Sequence, residues 1–96
     1  MSRGTRKIPN RLRKHRKIMG YTQEDVAGLL GYKSASRISK WEKGISMPNV
    51  KNLLKLSYLY RTLADQLYYD LSRELRIELH EQEKKITDDS FKANSP

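Results

Sequence analysis

No cysteine occurs in the 96 residues, which excludes a disulfide framework, a thiolate metal site and a cysteine nucleophile. The two histidines, His15 and His80, stand far apart in the chain, so no metal centre and no cofactor is expected. No apolar run approaches the roughly 20 residues needed to cross a bilayer. The basic N-terminal stretch is not followed by the apolar core of an export signal, so the expected location is cytoplasmic. Strand-like alternation, internal repeats and low-complexity blocks are also missing, which leaves an all-α chain. With 36% apolar residues and a mean hydropathy of -0.85, the chain can form one small helical domain with a modest core. A hydroxyl such as that of Ser36 has no histidine near it in the pattern to activate it. No acid/base pair, metal cluster or phosphate-cradling loop stands out either, and the protein is not expected to be an enzyme.

Acidic residues are absent from the first 20 positions, which hold eight Lys and Arg. The next 40 positions hold six bases and three acids, and the last 36 hold six bases against eight acids. The excess positive charge, +9 over the whole chain, therefore sits in the first two thirds. A field so placed attracts polyanions, of which nucleic acid is the commonest.

Residues 1–8 are polar, basic and aperiodic and read as a flexible arm. A first helix is expected from about Pro9 and Asn10 to Gly20, with Leu12, His15 and Met19 at helical spacing. Thr22 can cap a second helix, with Glu24 and Asp25 at its positive end and Val26, Ala27, Leu29 and Leu30 as its buried side. Gly28 is an interior glycine on the opposite face, and Gly31 ends the helix. A third helix, capped by Ser34 or Ser36, runs to Lys43 and stops at Gly44. After the loop "ISMPNV", Asn49 caps a fourth helix carrying Val50, Leu53, Leu54, Leu56, Tyr58 and Leu59, and a fifth begins near Thr62.

The third helix is short of apolar residues. Only Ile38 and Trp41 are large and apolar, and their spacing makes Trp41 a core anchor in preference to a base-stacking side chain. Ala35, Ser36, Arg37, Ser39 and Lys40 are left facing outward or sideways, short near the start and basic further on. Such a helix fits the major groove of double-stranded DNA, where Arg37 and Lys40 can reach guanine acceptors or phosphate.

The order of helix, glycine-containing turn and helix from Thr22 to Lys43 has the layout of a helix-turn-helix. The chain resembles the phage-repressor and Cro-type DNA-binding domain, the XRE type, over about Asn10 to Tyr68. The residues carrying the resemblance are "TQEDVA", Gly31, "RISKWEKG", Pro48, "LLKLSYL" and "TLADQL". One extra residue between Gly31 and Ile38 departs from the commonest spacing, so both Ser34 and Ser36 stay candidates for the start of the third helix. The resemblance implies a five-helix lambda-repressor-like domain over 9–69 whose third helix reads bases through Ala35, Ser36, Arg37, Ser39 and Lys40. It implies that Gln23 bonds a phosphate while bracing that helix, and that Glu42 pairs with Arg16. Lys33, Ser34, Lys43, Ser46 and Asn49 flank the same surface as expected backbone contacts. The implied function is that of a repressor-type transcriptional regulator.

Beyond the domain, a helical pattern continues over 70–86, with Tyr68, Leu71, Leu75, Leu79, Gln82 and Ile86 forming a narrow stripe. If continuous from Leu63, it is about 36 Å long, so it either folds back on the body or reaches a partner. The stripe suits a homodimer seam. The other reading is an antitoxin-like or adaptor protein that binds a protein partner through residues 70–96. Residues 87–96 read as a disordered tail.

Overall fold

The computed structural model describes the backbone of residues 6–93 and the side chains of residues 6–88. Among the described residues it is all helical, in the order α1 (Leu12–Ile18), α2 (Gln23–Leu30), α3 (Ser36–Glu42), α4 (Val50–Leu59), α5 (Ala64–Leu67) and α6 (Tyr69–Ala93). Each of the first five is short, so burial of one edge holds it in place more than its own propensity does.

Local chemistry sets the boundaries. Thr22 opens α2 with a complete capping box: its hydroxyl accepts from the Asp25 amide at 3.0 Å, and its own amide donates to the Asp25 carboxylate at 2.9 Å. Gly31, at φ 88°, closes the same helix in the left-handed region. Asn49 caps α4 by accepting from the Asn52 amide at 2.8 Å. The first helix is shorter than its pattern suggested, and Asn10 is spent on holding the strap that precedes it. The Asn10 amide group donates to the carbonyls of Ile8, Trp41 and Glu42, and its oxygen accepts from the Leu12 amide.

Leu12, Val26, Ala27, Ile38, Trp41, Leu56, Tyr60, Leu67 and Tyr68 form the buried centre. Burial pushes the Tyr68 hydroxyl up to about 12, and that hydroxyl makes no hydrogen bond within the described protein. Leu29, expected on the buried side of α2, lies outside this centre, as do three of the apolar residues of α4. Leu29 on α2 and Leu54 and Tyr58 on α4 are more than half exposed, and Val50 is exposed as well. Each of these helices carries apolar residues on more than one side, and the body covers only one.

Residues 6–8 of the expected arm are docked, while 1–5 lie outside the described residues. The Ile8 amide donates to the Gly44 carbonyl at 2.9 Å, and Arg6 pairs with Glu74 at 2.8 Å. Arg11 meets Asp70 through two nitrogens at 3.1 and 3.2 Å and lies over the Tyr69 ring. The strap therefore ties the end of α3 to the start of α6.

The last helix neither folds back in two pieces nor ends at Ile86. It runs unbroken for 25 residues to Ala93, through seven positions of the expected tail. Residues 94–96 lie outside the described residues. Tyr68 and Leu71 reach the body, but Leu75, Leu79 and Ile86 are exposed. The projecting helix raises the radius of gyration to 18.3 Å, against about 12.5 Å for a compact chain of this length.

Candidate nucleic-acid interface

The narrow apolar edge of α3 is its attachment. Ile38 and Trp41 are almost fully buried, and Trp41 meets the Tyr32 ring edge-on at 6.2 Å between centroids. Tyr32 is held in turn by Asn52, whose amide donates to its hydroxyl at 2.7 Å. Ala27 stands buried where α2 meets α3, and a larger side chain there would push the two apart.

Of the two expected starts, α3 takes Ser36, but the cap differs from both expectations. Ala35 occupies the flanking position and no side chain caps the helix. Ser36 is the first helical residue, and the Ser34 hydroxyl accepts from its amide only at a long 3.4 Å. The extra residue after Gly31 is thus absorbed in the turn, and neither serine acts as the cap.

A buried ionic brace holds the other end. The Arg16 guanidinium on α1 grips the Glu42 carboxylate with two bonds of 2.6 and 3.1 Å and donates to the Tyr21 carbonyl at 2.9 Å. Gln23 adds a bond of 2.9 Å to the same carboxylate. Side-chain exposure is 9% for Arg16 and 5% for Glu42, so this pair is shielded from salt. The hydrogen bond to Glu42 raises the Arg16 pKa against the opposing effect of desolvation. Tyr60 lies close enough for the Glu42 charge to add to burial in pushing its hydroxyl up. Glu42 is therefore a structural acid.

Above this brace the surface opens into a groove. Gln23, Ser39 and Lys43 line it together with Arg13 and Lys17 of α1. Arg13, Lys17 and Lys43 form no ion pair among the described residues. Arg13 and Lys17 were missing from the expected contact set. Their signal was present as an i,i+4 pair of bases inside the acid-free first 20 residues, but nothing in the sequence says which face of α1 adjoins α3.

Apart from Gln23, Ser39 and Lys43, the expected residues do not line this groove. Ser36, Arg37, Lys40 and Lys43 are exposed on α3 or at its end, whereas Ala35 and Ser39 are half-buried. Arg37 stacks over the Tyr32 ring at 4.9 Å, which holds its guanidinium beside the helix. Lys33 and Ser34 are exposed in the turn before α3. Ser46 and Asn49 lie in the loop after it, and the Asn49 side-chain oxygen is occupied by its cap. His15 is half-buried, and its pKa is lowered by burial and by Lys14 and Arg11, which disfavours the charged form.

Residues 12–66 match a family model described as helix-turn-helix. The chain belongs to the XRE-type helix-turn-helix family. It is a DNA-binding transcription regulator of that family, with the all-α fold expected of it. The match to the helix-turn-helix family stops at Gln66 in α5, so α6 lies beyond it. No curated protein and no solved structure matches the chain. Among the described residues no helix is long and apolar enough to cross a membrane.

Proposed function

We propose that this helix-turn-helix protein is a cytoplasmic repressor that reads a specific double-stranded DNA sequence with α3. The carrying observation is the division of α3 into an inner edge fixed by Ile38, Trp41 and the Arg16–Glu42–Gln23 brace, and an outer face of small and basic side chains. A reading helix must be rigid, because base discrimination depends on donors and acceptors held in place. Ala35, Ser36, Arg37, Ser39 and Lys40 read base edges. Gln23, Lys33, Ser34, Lys43, Ser46 and Asn49, joined by Arg13 and Lys17, hold the phosphates and set register. Repression follows from occupancy alone, since binding at a promoter blocks what would otherwise use it.

The protein acts as a homodimer through α6. Leu75 and Leu79 line an open apolar cleft with Met47, Leu53 and Leu71, which water would otherwise cover. Two copies joined there present two α3 helices to successive turns of a palindromic site, about 34 Å apart.

Selection of bound sequences from a random DNA pool tests both parts, since a site without two-fold symmetry speaks against the dimer. Lys40→Ala is expected to relax preference at one base pair and to cost about 1–3 kcal/mol on the selected site. Equal weakening on every sequence would make Lys40 a phosphate contact. Leu79→Asp is expected to lower the mass in solution. A wild-type chain that is monomeric until another protein joins it would favour the antitoxin-like reading.

A further inference from the structure

The outer face of α2 and α4 is left uncovered by the fold, and apart from Glu24, which also borders the basic groove, none of its residues named below lines that groove. Leu29, Leu54 and Tyr58 are exposed by 55%, 60% and 70% and, with Leu30 and Leu59, line an open apolar groove. Leu29 also belongs to a hollow beside it that is formed by Glu24, Asp25 and Gly28. The opposite rim carries Lys55, with Lys51 one turn earlier on α4. The surface thus grades from acid through apolar to base. Its acidic end and its oily middle are both unsuited to phosphate.

Gly28 supplies a second observation. It lies inside α2, where glycine weakens a helix, yet its φ is not positive and an added Cβ would meet nothing within 4 Å. Nothing within the molecule requires a glycine there. A glycine on an outer helix face does allow another backbone to come close.

We propose that this face binds the same face of a second copy about a two-fold axis. The polarity of the surface identifies the occupant. Rotation by 180° lays the Glu24 and Asp25 end of one copy against the Lys51 and Lys55 end of the other, with the leucines and Tyr58 meeting between them. Gly28 provides the clearance. This contact is separate from the α6 seam, and the two together join dimers into tetramers, so that occupancy of one DNA site favours occupancy of a neighbouring one.

Sedimentation equilibrium on the full chain over a range of concentrations tests the contact. Wild type is expected to show two association steps, and Leu54→Glu to weaken one of them at least about tenfold, because the carboxylate would be buried without a partner. Gly28→Leu is the sharper variant, since it fills empty space in the monomer. Its thermal midpoint should stay level or rise while the same step is lost. Leu79→Asp should remove the other step. A single step that Leu54→Glu and Gly28→Leu abolish and Leu79→Asp leaves intact would support this contact while removing the α6 seam. Association that ignores both Leu54→Glu and Gly28→Leu would overturn it.

Discussion

Glu42 is the residue on which most of the site geometry converges. It accepts two bonds from Arg16 and one from Gln23, so three helices meet at one carboxylate. Glu42→Ala leaves the Arg16 guanidinium buried and unpaired, with an expected loss of about 3–5 kcal/mol in urea unfolding. That is a large fraction of the about 5–15 kcal/mol that holds a domain folded. Tyr68 is the opposite case. Its buried hydroxyl lacks a hydrogen bond within the protein, and Tyr68→Phe is expected to raise stability by about 1 kcal/mol in the same measurement. The sequence showed that Trp41 is an anchor, because its spacing from Ile38 places both on one edge. It could not show that Arg37 rests on Tyr32, because that contact depends on the path of the turn around the extra residue.

At the scale of elements, the strap over residues 6–11 joins the end of α3 to α6. Its tightest point is Gly44, where a Cβ would lie 2.5 Å from the Ile8 carbonyl oxygen and where φ is 76°. Gly44→Ala therefore meets backbone on both counts and is expected to cost about 1–3 kcal/mol in thermal or denaturant unfolding. A smaller effect than the exposed Gly20→Ala control would show that the strap lifts away easily. The helices themselves were legible from capping residues and periodicity, with Thr22, Gly31 and Asn49 in their expected places. The sides they bury were less so. Leu29, Leu54 and Tyr58 fit a buried pattern, but a helix offering apolar residues on two sides does not reveal which side the body will cover.

For the whole molecule the governing quantity is the field of the basic two thirds of the chain. With about six phosphates neutralised per half-site, the log–log slope of affinity against salt is expected to be roughly -5. Lys17→Ala should weaken binding to all sequences alike and reduce the magnitude of that slope by about 1. Titration at several salt concentrations measures both, and a flat response would remove the electrostatic account. The elongated shape, 64 × 40 × 21 Å, comes from α6, whose exposed stripe and outward course leave apolar surface uncovered.

The family, the all-α class, the position of α3 and its anchors follow from the sequence alone. They rest on local rules: capping chemistry, helical spacing and the small set of residues that a tight turn accepts. The tertiary structure decided which cations join that helix, how the strap is held, and which apolar faces stay uncovered. Those outcomes depend on how helices distant in the chain are placed against one another. Arg13 and Lys17 became part of the groove only when Arg16, on the same helix, closed on Glu42.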